Sequence, residues 1–265
     1  MNQTYKTTLS QYALPPSLPS WGDLEGCSLK AMMFEKYPSI SPYTYCNNNP
    51  VGLIDPTGMT AGDFYDVCGN YLGNDGKLDG KVYLVTDGRE IDKIEKNDAA
   101  GGTTSLDEVS SAIDLRISSD LRTEMVDEMI KLDGPKNIQE HGGIARRGQE
   151  ESGNVKDYLD WGKPGPEWDG DNPATFNYNT CEGKGETLVF FHGHFQGKVG
   201  GQGAEQTPGT VDRGNAGMDG RNHALNVVIS KQDNNAYIFN SSGYITVSLE
   251  VFKSVKNTHT PLSKP

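Results

Sequence analysis

The feature of this sequence with the clearest chemical meaning is the pair His192 and His194, which directly follows the apolar run at 187–191 (TLVFF). Side chains two residues apart on an extended strand point to the same face, so both imidazoles can converge on one ion. Gly193 leaves space between them. A catalytic zinc site has three protein ligands and an open position for water. The pattern predicts a zinc site; the alternative is a surface turn with two unrelated histidines.

A third ligand is expected among the acidic side chains that follow this pair. Residues 195–216 are rich in glycine and offer Glu205 and Asp212. Carboxylate oxygen is a regular zinc ligand beside imidazole nitrogen. The residue types and their order leave both carboxylates open as the third ligand.

Several apolar patterns predict the elements that must position these residues. Residues 119–132 carry Leu121, Met125, Met129 and Leu132 at helical spacing, with Ser118 or Ser119 as the N-cap. Short strands are predicted within 63–86, at 187–191, at 224–229, at 236–240 and at 244–247, with a final short helix or strand near 248–255. Residues 87–104 are predicted to form a loop, and the polar stretch from 145 to about 180 shows no regular element. This order predicts an α/β fold of the α+β type, with a mixed β-sheet flanked by helices.

The order of these features resembles the JAB/MPN metalloprotease family and its JAMM motif. The matching elements are the His-x-His pair, a Thr-Pro-x-x-x-Asp segment at 207–212, and the strand pair ALNVVIS and AYIFNSSG that follows. In that family both histidines and the aspartate bind zinc. The resemblance therefore implies a JAB/MPN-like fold with Zn²⁺ held by His192, His194 and Asp212.

The same resemblance implies a catalytic glutamate, which in this family activates the attacking water. Glu140 matches it, in the run QEHGGI directly after the 119–132 helix. A carboxylate in this place takes a proton as water attacks a carbonyl and then delivers a proton to the leaving amine. His223, just before the 224–229 strand, is expected to be structural or to lie at the rim of the site.

Two features depart from the family pattern. Asp212 lies 18 residues after His194, farther than the family usually places it, and the extra residues are glycine-rich, as in a loop insertion. The serine that stabilises the oxyanion in the family is replaced by Gly209. Thr207, Thr210 or a backbone N–H is expected to take its place if the site is active.

The N-terminal part of the chain has a different character. Residues 1–60 are rich in Pro, Ser, Asn and Tyr and lack helical or strand periodicity, so we expect an irregular segment. Within it, residues 37–58 (YPSISPYTYCNNNPVGLIDPTG) closely resemble the terminal signature of the Rhs-repeat-associated core. In that family a variable toxin domain follows the signature. The resemblance implies an Rhs-core remnant at 1–60 and a toxin domain at 61–265, with its core at about 106–250.

Bulk properties restrict the partners. The net charge of −12 disfavours binding to nucleic acid or an anionic membrane surface. No apolar stretch reaches membrane-spanning length, and the N-terminus lacks a secretory signal pattern. We expect a soluble protein, made in the bacterial cytoplasm and exported as an effector by another route. The four cysteines lack CxxC spacing and are expected to be free thiols.

These observations predict a zinc-dependent peptide or isopeptide hydrolase that acts as the C-terminal toxin of an Rhs-type polymorphic toxin. Its expected partners are a protein or peptide substrate and an immunity protein. One alternative is a JAB-like binding module with a degraded catalytic site, which Gly209 and the long gap before Asp212 favour. The other is a metal-dependent nuclease toxin, which the acidity of the chain disfavours.

Overall fold

The computed structural model describes residues 62–77, 79–150, 153–172, 174–218 and 221–256. The strands are β1 (Asp63–Asp66), β2 (Tyr71–Asn74), β3 (Val82–Val85), β4 (Ile113–Asp114), β5 (His141–Gln149), β6 (Val155–Trp161), β7 (Glu186–His194), β8 (Lys198–Val199), β9 (Gln202–Gly203), β10 (Leu225–Ser230), β11 (Asn235–Phe239) and β12 (Tyr244–Ser248). The helices are α1 (Gly88–Ala99), α2 (Ser119–Leu132), α3 (Thr210–Ala216) and α4 (Leu249–Ser254). The Rhs-like stretch at 37–58 and the predicted boundary near 60 lie outside the described residues.

Two mixed sheets form the framework. The larger sheet has the strand order β12-β11-β10-β7-β5-β6, in which β7 and β10 are parallel and the other neighbours are antiparallel. The smaller sheet has the order β2-β1-β3-β4. Strands β8 and β9 pair only with each other, as a short hairpin. With helices packed on these sheets, the predicted α+β class is confirmed.

The main core lies between the two sheets and contains α2 and α4. Alternating residues of the large sheet, such as Val189 and Phe191 of β7, point into it and contact α2 residues such as Met125. The next residue of the same strand, Phe190, points to the opposite face and packs with Phe176 and other residues of a separate cluster. Because side chains alternate along a strand, His192 and His194 share the face of Phe190 and are separated from α2.

Helix α2 forms as its periodicity predicts. The Ser118 hydroxyl accepts a hydrogen bond from the backbone N–H of Leu121 at 3.2 Å, which satisfies one unpaired donor of the first turn. Leu121, Met125 and Met129 are buried on one side of the helix. This face covers the inner side of the large sheet.

The prediction of a loop at 87–104 is wrong, since most of this segment is α1. Asp87 caps the helix by accepting hydrogen bonds from the N–H groups of Arg89 and Glu90. Glu90 then accepts hydrogen bonds from the backbone and hydroxyl groups of Ser110 and Ser111, which fasten the helix to the following segment. Only Ile94 of α1 is fully buried, so local capping outweighs the weak apolar pattern.

The polar stretch after residue 145 also contains regular structure that the sequence did not indicate. Strand β5 continues to Gln149 and pairs with β6 along its length. Cross-strand ion pairs join Arg146 to Asp160 at 2.8 Å and Arg147 to Asp157 at 2.8 Å. These pairs join the charges of β5 to those of β6, which is the edge strand of the sheet.

Two further observations bear on the predictions from composition. Cys181 is a buried free thiol, whereas Cys68 is disulfide-bonded, so the prediction of free thiols is wrong for Cys68. Among the described residues, none of the helices combines the length and the apolar character needed to cross a bilayer.

Candidate metal centre

Strand pairing brings Glu140 and the two histidines to one face of the large sheet. In the antiparallel pair β5–β7, Gly142 lies opposite His192 and His141 lies opposite Gly193. The same register, extended by one residue, places Glu140 opposite His194. Side chains at opposed positions share a face, so Glu140 and His194 point the same way. Glycine at 142 allows this pairing, because a Cβ there would lie 2.5 Å from the carbonyl oxygen of Phe191.

The three side chains form a buried group that can hold a metal ion. Nε2 of His192 and Nε2 of His194 are 3.2 Å apart, and a carboxylate oxygen of Glu140 lies 3.8 Å from Nε2 of His194. One ligand atom of each residue lies within 4.8 Å of the others. All three residues are buried, with exposed fractions of 4% for Glu140, 3% for His192 and 5% for His194. Two imidazoles and a carboxylate that are buried side by side are a ligand set suited to a metal cation.

Asp212 reaches the same group from α3. Its Oδ1 lies 3.3 Å from Nε2 of His192, and its Oδ2 lies 3.6 Å from Nε2 of His194. The β8–β9 hairpin takes up the glycine-rich stretch that separates Asp212 from the histidines in sequence. At the start of α3, the N–H of Gly209 donates a hydrogen bond to Oδ2 at 2.8 Å. This bond fixes the orientation of the carboxylate toward the histidines.

A tyrosine orients the first histidine from the other side of its ring. The hydroxyl of Tyr178 lies 2.9 Å from Nδ1 of His192. If Nδ1 carries the proton and donates to the tyrosine oxygen, the lone pair of Nε2 faces His194 and Asp212. Tyr178 lies in a short 3₁₀ turn at Tyr178–Thr180 that packs on the outer face of the large sheet.

In this group the carboxylates raise the pKa of an imidazole, and the imidazoles lower the pKa of a carboxylate. Burial tends to lower the pKa of His194, but its hydrogen bond to Asp212 and the charge of Glu140 outweigh this and raise it. Burial tends to raise the pKa of Asp212, yet hydrogen bonds from both imidazoles hold it well below its usual range. Positive charge beside the two carboxylates is therefore favourable. A divalent cation can supply the same positive charge.

The loop after β7 is held by side-chain contacts that keep the histidines in place. Gln206 donates a hydrogen bond to the carbonyl of Phe195 at 3.1 Å and accepts one from the buried Ser230 hydroxyl at 2.7 Å. Asp133, at the end of α2, accepts hydrogen bonds from the backbone and the side-chain amide of Gln196. These contacts fix both the residue after His194 and the segment that leads to α3.

A small cleft, with about 20 Å³ of free space, opens beside the group on the side of Tyr178. His192 and Asp212 line it together with Arg221 and Asn226. A molecule in this cleft would therefore contact two of the residues that surround the candidate metal position.

Of the other residues predicted at the site, none joins the buried group. The Thr207 hydroxyl donates to the exposed side chain of Glu205 at 2.7 Å. Thr210 is the first residue of α3 and is exposed, and His223 is exposed between α3 and β10. Glu205, the alternative third ligand, points away from the histidines toward Thr207, so the carboxylate that the fold brings to them is Asp212.

Two residues of the site were not predicted. Tyr178 lies in a polar stretch without periodicity, and Arg221 is a single basic residue in a glycine-rich loop. Nothing in the spacing of either residue indicates a contact with His192. Their position depends on tertiary packing of the 163–181 segment and the α3–β10 connection over the sheet.

Comparisons of this chain with known protein families, with characterised proteins and with solved structures found no match.

Proposed function

We propose that this chain is a zinc-dependent hydrolase of peptide or isopeptide bonds that uses JAMM-type chemistry. The observation that carries the proposal is the meeting of Glu140, His192, His194 and Asp212 in one place. These residues come from three separate elements and span 73 positions of the sequence. Their types and order are those of the JAMM motif, and each side chain lies within hydrogen-bonding or ion-pair distance of at least one other.

The distances favour Asp212, beside the two histidines, as the third ligand. Ligand atoms about 2.1 Å from a zinc ion in tetrahedral geometry lie about 3.4 Å from each other. Nε2 of His192 lies 3.2 Å from Nε2 of His194 and 3.3 Å from Oδ1 of Asp212, and the other carboxylate oxygen of Asp212, Oδ2, lies 3.6 Å from Nε2 of His194. Glu140 lies slightly farther out, at 3.8 Å from His194. This is the arrangement expected of three ligands and an adjacent base.

The role of Glu140 follows from this place. When bound, a zinc ion polarises the scissile carbonyl and lowers the pKa of a water molecule. Glu140 accepts the proton of the attacking water and then delivers a proton to the leaving amine. The buried surroundings of Glu140, which is 4% exposed, exclude bulk water from this transfer. Asp212 would complete the ligand set, and Tyr178 holds the imidazole of His192 in orientation.

One observation favours the second candidate, a JAB-like binding module with a degraded catalytic site. The N–H of Gly209 is engaged by Asp212, and the Thr207 hydroxyl is engaged by Glu205. Neither is free to stabilise an oxyanion in this conformation. A binding module would keep the metal and lose turnover, so the two candidates differ in hydrolysis and not in metal content.

The biological context of the proposal rests on the sequence. The Rhs-like signature at 37–58 supports a toxin that is made in the bacterial cytoplasm and delivered by an Rhs-type protein. An immunity protein is the expected partner, because a cytoplasmic hydrolase would otherwise act on the producing cell. The net charge of −12 supports a protein substrate over nucleic acid, which makes the nuclease candidate the weakest.

The test is hydrolysis of a denatured protein and of ubiquitin-type isopeptide conjugates by the zinc-loaded full chain. Glu140→Gln should keep the zinc and lose at least about 100-fold in rate, as expected for loss of a general base. Glu186→Gln, an exposed glutamate at the start of the same strand as the histidines, is the matched control and should retain activity. Bound zinc without hydrolysis in the wild type would favour the binding module.

A further inference from the structure

Arg221 is held beside the candidate metal position by aromatic rings. Its guanidinium carbon lies 4.5 Å from the centroid of the Tyr178 ring and 5.2 Å from that of Phe190. The buried Asn226 side chain donates to the backbone carbonyl of Arg221 at 3.4 Å, which holds the base of this residue against β10. Arginine stacked on aromatic faces keeps its N–H groups available at the edge of the guanidinium plane.

No described carboxylate lies within ion-pair distance of this guanidinium. Three other described arginines do have a carboxylate partner: Arg89 pairs with Asp87, Arg146 with Asp160 and Arg147 with Asp157. The chain carries 36 acidic and 24 basic residues, so acidic partners are plentiful. A partly buried arginine without such a partner has donor capacity that a ligand can use.

The position of Arg221 places its free N–H donors close to the proposed reaction. It lines the same cleft as His192 and Asp212, so a group bound to it lies next to the atoms that surround the metal. Arg221 also contacts Tyr178, the residue that orients His192. In an acidic protein it supplies local positive charge where an anionic group would otherwise be repelled.

We propose that Arg221 forms a subsite for a carboxylate of the substrate, adjacent to the bond that is cleaved. This inference rests on the proposed hydrolase function and defines its substrate class as peptides with a negative charge beside the scissile bond. The planar guanidinium matches a carboxylate with two parallel hydrogen bonds. The carboxylate can be the C-terminus of a peptide or the side chain of a flanking Asp or Glu.

Binding of metal-directed probes tests the subsite without requiring turnover. The probes are the monohydroxamates of malonic, succinic and glutaric acid and, for each, the uncharged monoamide of the same length. Each pair differs in one carboxylate, and calorimetry on the zinc-loaded full chain gives both affinities. For the best-fitting length, the carboxylate probe should bind about 10-fold more tightly than its amide, as expected for a charge-assisted pair.

Arg221→Gln should abolish this preference and leave the affinity of the amide probes unchanged. Arg89→Gln removes the same charge from α1, where the arginine side chain is 93% exposed, and should preserve the preference. The proposal would be overturned if the carboxylate and amide probes bound with equal affinity at all three lengths. It would also be overturned if the preference for the carboxylate probe survived Arg221→Gln. If no hydroxamate binds to zinc-loaded protein, the metal-directed cleft and the proposed function fail together.

A second arm separates the two sources of the carboxylate. Cleavage products of a denatured protein, identified by mass spectrometry, should show either trimming from the C-terminus or internal cuts beside Asp or Glu. Amidated C-termini should block the first pattern and not the second. Internal cuts without an acidic neighbour would contradict the subsite. Absence of any cleavage would count against the hydrolase function, while the hydroxamate affinities still decide the role of Arg221.

Discussion

Nδ1 of His192 lies 2.9 Å from the hydroxyl of Tyr178, on the side of the ring opposite to the Nε2 that faces His194. Hydrogen bonds to the outer nitrogen of a metal-binding histidine fix its tautomer and its orientation. Burial raises the pKa of Tyr178 well above its usual value, so the phenol remains neutral, and its oxygen can accept a hydrogen bond from the Nδ1–H of His192. Tyr178 is therefore a positioning residue for the candidate metal centre.

Tyr178→Phe should lower the affinity of the protein for zinc by about 10-fold or more, within the range found for loss of such partners. The measurement is competition with a chromophoric chelator at fixed pH. Tyr158→Phe is the control, because the Tyr158 hydroxyl donates to the Lys184 carbonyl, away from the histidines, and its loss should leave zinc affinity unchanged. An unchanged affinity in Tyr178→Phe would show that the tyrosine only packs against His192.

The glycine between the histidines is constrained by the helix behind it. A Cβ at Gly193 would collide with the terminal methyl of Met129, which is 2% exposed in α2. Because the colliding atom is the end of a flexible side chain, Gly193→Ala should destabilise the fold by only about 1 kcal/mol, the low end of the range for overpacking of a core. Thermal or denaturant unfolding measures the change.

A double-mutant cycle identifies Met129 as the cause. Met129→Leu removes the terminal methyl group of the side chain and by itself should lower the free energy of unfolding by less than about 1.5 kcal/mol. In that background, Gly193→Ala should cost much less than in the wild type, because the colliding methyl is gone. Additive effects of the two changes would locate the strain elsewhere.

The part of the fold predicted from the sequence is the part with strong apolar periodicity. Helix α2, the apolar section of β7, and the β10–β11 pair each bury one clear set of residues, and each lies where it was predicted. The apolar pattern does not predict helix α1, because the helix buries only Ile94 and depends on the cap at Asp87. Strands β5 and β6 carry glycines and charges that become compatible with a sheet only once they pair with each other.

The candidate site divides in the same way. His192 and His194 are adjacent on one strand, so their common direction follows from local geometry. Asp212 could be related to them only through a motif, since its approach depends on the β8–β9 hairpin and on the start of α3. Tyr178 and Arg221 reach the site through packing of loops over the sheet, for which the sequence contains no periodic signal.

The attachment of α1 gives a pH-dependent contribution to stability. Burial tends to raise the pKa of Glu90, but hydrogen bonds from Ser110 and Ser111 outweigh this and lower it. Since the folded state has the lower pKa, the carboxylate stabilises the fold fully above its unfolded pKa of about 4.3. The contribution disappears as the pH falls through the folded value.

Glu90→Gln should therefore cost about 1 kcal/mol at pH 7, a value reduced by partial exposure of the group to solvent. The difference from the wild type should shrink below about pH 4, where the glutamate is protonated and resembles glutamine. Urea unfolding of both proteins between pH 3 and pH 7 measures this difference in the free energy of unfolding. A difference that is constant over this range would mean that the charge of Glu90 plays no part.

If Glu140, His192, His194 and Asp212 surround a zinc ion, elemental analysis of the purified protein detects that zinc. Protein purified without chelators should contain one zinc per chain, and a folded His192→Ala/His194→Ala variant should contain none. His141→Ala/His223→Ala removes two histidines outside the group and should keep the zinc. Wild-type protein without zinc, even after incubation with the metal and removal of the excess, would contradict the account.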